Sequence, residues 1–214
     1  MIKQKTALMV LSIMLCAALL TSCASAGKLS DSEVTQLREQ YPVLVNEADP
    51  FLTKIYPDTD TFSNVKESYR RGSIGIIEAT VLGNDASTIQ IAPAEGMAKE
   101  TMNLIFLQLH VDSVIAQPSD RNIQGDISVY VGTRENEGDR FDFAPGTKLV
   151  ISLFDIGKDT DPEHCPDGYS SSLDTSYYLT EDNHLLAIFD YPGPKEMDGK
   201  PLSAFRSEVK NIFK

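Results

Sequence analysis

Read by its apolar positions, the chain divides into four stretches. Ala7 to Leu20 is an unbroken, charge-free apolar run behind Lys3 and Lys5. From Ser30 to Gly72 apolar residues recur at helical spacing in short pieces, each ended by a breaker. Ser30 and Glu33 make a capping box ahead of Val34, Leu37 and Tyr41, and Pro42 stops the run. A second piece carries Phe51, Leu52, Ile55 and Tyr56 between Pro50 and Pro57. A third begins near Asp60, with Phe62, Val65 and Tyr69 on one face and Gly72 as its stop. Pieces this short are not stable alone and must pack on something larger.

At Ile74 the period falls to two. Ile77, Ala79 and Val81 alternate with Glu78 and Thr80, and Ile105, Leu107, Leu109 and Val111 alternate with Phe106, Gln108, His110 and Asp112. Ile127, Val129 and Val131 repeat the pattern, and Leu149, Ile151 and Leu153 follow the turn Ala144-Pro145-Gly146. Tyr177 to Leu179 and Leu185 to Phe189 flank the polar turn Glu181-Asp182-Asn183. Strands with one apolar face must close that face on themselves or on helices. After Pro201, Leu202, Phe205, Val209 and Ile212 return to helical spacing. These patterns predict a mainly β (α+β) fold: a five- to six-stranded antiparallel barrel with an N-terminal helical leader and a C-terminal helix.

The first stretch changes the picture, because basic residues, a short apolar run and small residues are the layout of a secretory signal. Its closing residues Leu20-Thr21-Ser22-Cys23 resemble the lipobox of bacterial lipoproteins. The resemblance implies cleavage before Cys23, whose sulfur then carries a diacylglyceryl thioether, with further acyl chains such as palmitate. Two alternatives stay open. Ala24-Ser25-Ala26 reads as an ordinary cleavage site, and an uncleaved membrane helix would need about 20 apolar residues. The expected organisation is 1–22 signal peptide, 23–30 tether and 31–214 one globular domain. That domain comprises a leader (31–72), a barrel (73–190) and a C-terminal helix (191–214). The expected location is the extracytoplasmic face of a bacterial cell membrane, or the outer membrane where the cell has one.

The strand order also has a likeness. Ile76-Ile77-Glu78-Ala79-Thr80-Val81 is followed by Leu104 to Val114 and Ile127 to Val131. Then Phe143-Ala144-Pro145-Gly146-Thr147-Lys148 enters Leu149 to Leu153. This order resembles small bacterial cell-surface lipoproteins with an OB-like β-barrel over about Ile74 to Leu186. It implies a fold, and it carries no active site.

Charge narrows the partners. The chain has 19 lysines and arginines against 31 aspartates and glutamates, a net −12, and losing Lys3 and Lys5 with the leader makes it more negative. Nucleic acid, which requires clustered cations, is excluded as an expected partner, and anionic headgroups repel the domain. The expected partners are the membrane, through Cys23, and another envelope protein or a peptide. With Cys16 in the leader and Cys23 lipidated, Cys165 stands alone, so no disulfide framework supports the fold.

Candidate chemistry is sparse. The densest segment holds Asp155, Asp159, Asp161, Glu163, His164, Cys165 and Asp167. Carboxylates could hold a hard cation there, and His164 with Cys165 a softer one. The spacing fits neither an EF-hand, where His164 would replace the turn glycine, nor a zinc site, which needs three or four ligands. The expectation is a solvated acidic turn broken by Pro162 and Pro166. Cys165 as a nucleophile, with His164, His110 or His184 as base, requires an electropositive setting that these acids deny it. Gly168-Tyr169-Ser170-Ser171-Ser172 lacks the closing glycine of a nucleophile elbow. Gln108, His110 and Asp112 share a strand face that suits proton transfer, and equally suits solvent. Tyr169, Tyr177, Tyr178, Phe189 and Tyr191 could floor a groove for a peptide or sugar, or pack between strands. Arg70 and Arg71 suit the last turn of a helix.

Three functions remain, and no cofactor, metal or catalytic residue is expected. The first is a lipid-anchored, non-enzymatic binding or adaptor module. The second is an envelope hydrolase or metal-dependent enzyme using the Asp155 to Asp167 loop. The third is a structural envelope lipoprotein.

Overall fold

A computed structural model describes residues 27–44, 60–91, 100–133, 143–159 and 161–214. The apolar leader, Cys23 and the piece between Pro50 and Pro57 lie outside the described residues. In order come α1 (Asp31–Leu37), α2 (Phe62–Gly72), β1 (Ser73–Ile91), β2 (Glu100–Ala116), β3 (Gly125–Thr133) and β4 (Lys148–Asp155). Then follow β5 (Tyr169–Ser170), a 3-10 turn (Leu173–Thr175), β6 (Tyr177–Leu179), β7 (Leu185–Ala187), α3 (Pro192–Lys195) and α4 (Leu202–Val209). The molecule is mainly β, with helices before and after the strands as the periodicity predicts.

Two expectations need correction. The sheet has seven strands rather than five or six, and one pairing, β3 with β5, is parallel. Tyr169–Ser170 is too short for an alternation to register, which is why it escaped the pattern. The C-terminal helical region is split, because α3 ends four residues before Gly199 turns the chain at φ +70°. β1 and β2 also run far beyond their apolar cores. From Asn84 to Ile91 β1 pairs with β2 alone, after β4 has ended against Thr80.

Two faces of the sheet are apolar. Ile77, Ala79, Val81, Leu107, Leu109, Val129, Ile151 and Tyr178 meet in an inner cluster. Ile76, Val150, Tyr177, Leu185 and Ala187 face the other way, against Val65 and Tyr69 of α2 and Phe205 and Val209 of α4. Helices covering a second face explain why β6 and β7 are buried throughout rather than alternately. Tyr69 donates its hydroxyl to Thr175 O, and burial pushes that phenol well above its ordinary range. Arg206 of α4 reaches Glu78 and, at 2.9 Å, Ser113, fixing the helix across β1 and β2.

β7 would be a bare edge. Its outward groups are instead taken up: Asp198 accepts from Ala187 N at 2.7 Å and Arg38 donates to Ala187 O at 2.8 Å. Arg38 and Asp198 pair with each other at 2.6 Å. One ion pair therefore blocks edge growth and ties α1 to the sheet.

Candidate functional site

The acidic loop is solvated in part, since Asp155, Asp159 and Glu163 are exposed as expected, but its middle is built into the fold. Asp161 and Cys165 are buried. The Cys165 thiol faces the carbonyls of Ser128 at 3.2 Å and Tyr169 at 3.1 Å, either of which can accept its S–H. Burial pushes that thiol up, so it is neither exposed nor activated as a nucleophile. Asp161 Oδ1 accepts from His164 N at 3.2 Å and from His164 Nδ1 at 3.1 Å. The imidazole stacks on Phe106, with ring centroids 5.9 Å apart. Phe106, Leu104 and Cys165 form a third apolar cluster, so the loop is the cover for what alternation assigns to an outward face. Gly168 closes it at φ +67°, packed so tightly that a Cβ would fall 2.6 Å from Gly157 C.

Two charges in this loop are tuned by each other. Asp161 bonding holds the His164 imidazole above its ordinary value, burial opposing. Burial works to raise the Asp161 carboxyl, but hydrogen bonds from the His164 side chain and backbone and from Ser87 outweigh it, leaving it low. Among the described residues no three His, Cys, Asp or Glu side chains are placed to hold a metal ion.

Gln108, His110 and Asp112 do share a face, but each hydrogen-bonds a neighbour on another strand, and Asp112 adds only a minor charge effect on His110. Gln108 Nε2 donates to Ser128 Oγ at 3.0 Å, and Thr80 Oγ1 donates to Asp112 at 2.7 Å. His110 pairs across the ladder with Asp126 at 2.6 Å, on open surface, and that bond raises its pKa. His184 hydrogen-bonds Gly27. None of the three histidines is therefore a base for Cys165.

The expected aromatic floor is dispersed. Tyr177 is sealed against Phe205, Phe189 stacks on Tyr191, and Tyr169 is half-buried beside β4. Tyr178 lines a recess, and Tyr41 and Phe143, which the pattern assigns to a helix and to a strand entry, join it there. Tyr41 lies 5.5 Å and Phe143 5.8 Å from the Tyr178 ring, both tilted against it. The recess measures 660 Å³ and is rimmed by Gln40, Thr147, Lys148, Thr180 and Glu181. Burial pushes the Tyr178 phenol up to about 12. Burial, and then the charge of Glu181, raise that of Tyr41. Both are neutral hydrogen-bonding groups at physiological pH.

A second recess of 330 Å³ adjoins the first across Gln40, Tyr41, Thr180 and Glu181. Its walls are α1, entered through the capping box at Ser30, and the β6–β7 turn. That turn is held stiffly. Asn183 takes φ +60° and donates to Thr180 O at 2.9 Å, while Thr180 Oγ1 accepts from His184 N at 3.0 Å. Asparagine is among the few residues that adopt such a conformation readily.

No family model matches the chain, nor does any curated protein or solved structure.

Proposed function

We propose that this chain is a lipid-anchored extracytoplasmic binding module, held to a bacterial membrane through Cys23, that takes its ligand in the double recess beside α1. The observation carrying the reading is that recess: a floor of three aromatic rings, a polar rim and a rigid turn, assembled from three separate segments. Binding sites are concave, mostly apolar at the base and set with few polar groups. The chemistry a hydrolase or metal enzyme would need is instead spent inside the protein, Asp161 on His164 and the Cys165 thiol against carbonyls. A purely structural role gives no account of a shaped recess.

The sheet is read here as OB-like. Its pairings run β1 to β2, β3, β5 and β4 and return to β1, with β3 and β5 parallel. β5 and β6 both pair antiparallel with β4, at opposite ends of it, and so act as one strand interrupted by the 3-10 turn. That circuit supports the likeness to cell-surface lipoproteins drawn from the strand order. Leu29 N donates to Gly199 O at 2.8 Å and Gly27 O meets His184 Nε2 at 3.1 Å. If Cys23 is lipidated, the four residues from there to Gly27 span roughly 14 Å at most, which holds the smaller recess near the bilayer.

A photoreactive residue at Lys148, on the recess rim, and another at Asp112, on the open sheet face, test the reading in living cells. Cross-linking of discrete partners from position 148 and not from 112 is expected. No cross-link from the rim, or equal cross-linking from both positions, overturns it.

A further inference from the structure

Charge is divided unevenly between the sheet and the helices that cover it. α2 and residues 195–214 together hold eight lysines and arginines against four acids, whereas the rest of the chain holds eleven against twenty-seven. α2 and α4 form one layer, with Phe62 packed on Phe205 and Lys66 pairing with Glu208 at 2.8 Å. Arg206 and Lys195 are neutralised by Glu78 and Asp190. A surplus is left on the outside of the layer. Arg70 and Arg71 are both exposed and share the one carboxylate of Glu67. Lys210 and Lys214 are exposed and form no ion pair among the described residues.

The route toward the anchor starts beside this layer. Leu29 N donates to Gly199 O at 2.8 Å, and Gly27 O meets Nε2 of His184, which bridges to Pro201 at the head of α4. Exposed Lys28 stands between them. From a lipidated Cys23 the four residues to Gly27 reach roughly 14 Å, and α4 is about 12 Å long, so the layer can reach the bilayer. Screening decides which charges matter there. Beyond about 8–10 Å a charge is largely hidden from the headgroups, so the repulsion expected from the net −12 does not govern this side. The opposite tendency holds at the smaller recess, where Glu33, Glu181 and Asp182 stand in the wall and no described lining residue is a lysine or arginine.

We propose that the α2–α4 layer docks on the anionic headgroups of the leaflet that carries Cys23. Repulsion of the recess acids rolls the domain about its tether and leaves both recesses open to the envelope space. Each cation brought to such a surface strengthens attachment roughly fivefold. Docking rests on the lipid-anchor reading and can fail separately from it.

The test uses the chain purified from membranes, its acyl groups identified by mass spectrometry, in vesicles of phosphatidylcholine alone or mixed with phosphatidylglycerol. One nitroxide is placed at Ser207→Cys, exposed on α4, and another at Ala86→Cys, exposed on β1. Ala86 lies roughly 25 Å along the strand from the Glu78 that Arg206 holds. A nickel-chelating lipid relaxes whichever label is near the bilayer. Relaxation at position 207 should exceed that at 86 at least about threefold in the anionic vesicles, because several cations act together there. The preference should fall below about twofold in neutral vesicles, and equally when Arg71→Glu, Lys210→Glu and Lys214→Glu are combined in anionic ones. Equal relaxation at both positions in anionic vesicles overturns the proposal, as does a preference that survives without phosphatidylglycerol or in the triple variant. A preference that grows with protein density rather than anionic lipid assigns the layer to a second copy and overturns it too. A chain without acyl groups removes the anchor and the proposal together, whereas an acylated chain that fails any of these comparisons leaves the anchor standing.

Discussion

Three neighbours on β2 separate what alternation predicts from what the folded chain requires. Leu107 is fully buried in the inner cluster, opposite Asn84 on β1 and Val129 on β3. Hydrogen-bonded strands on both sides hinder collapse around a cavity, so Leu107→Ala should cost about 3–4 kcal/mol, within the usual range for buried leucines. For a domain of this size that is a fall of roughly 6–16 °C in melting temperature. His110→Ala should leave the melting temperature unmoved, because an exposed ion pair with Asp126 contributes little. Phe106 decides the matter. Alternation puts it on the solvent face with His110, yet it is 1% exposed beneath His164 and 5.9 Å from the Tyr130 ring. Phe106→Ala should therefore cost about as much as Leu107→Ala, some 3–5 kcal/mol. Thermal and urea unfolding, with equal m-values confirming two-state behaviour, measure all three. A near-neutral Phe106→Ala would refute the loop's role as a cover. A His110→Ala loss matching Leu107→Ala would refute the exposed face.

Gly168→Ala should destabilise by about 2 kcal/mol or more, since its positive φ disfavours a side chain and the added Cβ meets Gly157 and Lys158 backbone below 3 Å. The same change should speed labelling of Cys165 by a thiol reagent, and an unchanged labelling rate would refute the sealed thiol. The raised pKa of His164 contributes stability that is complete below the unfolded-chain value of about 6.5 and is lost as pH rises through the folded value. Asp161→Asn should accordingly return the His164 titration toward the ordinary value and flatten stability above about pH 6.5; an unshifted titration would break the pair. Cys23→Ala should abolish acyl labelling and leave an unprocessed precursor or a released chain, and a lipidated, correctly cleaved variant would sink the anchor.

Much of the fold was legible because one face of each element is apolar. The capping box at Ser30, the Phe62–Val65–Tyr69 face of α2, the strand cores and the Leu202–Phe205–Val209 face of α4 all stand where periodicity puts them. The missed features are those that periodicity does not encode. Beyond Val81, β1 reads Leu82-Gly83-Asn84-Asp85-Ala86, which has no buried alternation, and is held by its ladder to β2 alone. The burial of Phe106 depends on a loop more than fifty residues away, and a single-strand pattern cannot register a cover that arrives from elsewhere in the chain.

The candidate site was illegible for a related reason. Local density of reactive side chains drew attention to Asp155–Asp167, but density in sequence measures only proximity along the chain. Folding spends Asp161 on His164 and sets the Cys165 thiol against backbone carbonyls, while Asp155, Asp159 and Glu163 stay on the surface. The recess draws instead on Leu29, Glu33, Tyr41, Phe143, Tyr178 and His184, no two of which stand together in a motif. Tyr41 reads as the last apolar position of a leader helix, Phe143 as the entry to a strand, and His184 as one possible base for Cys165. What turns them into a site is the tie of α1 to β7 through Arg38 and Asp198, together with the φ +60° turn at Asn183 that presents Glu181 and Asp182.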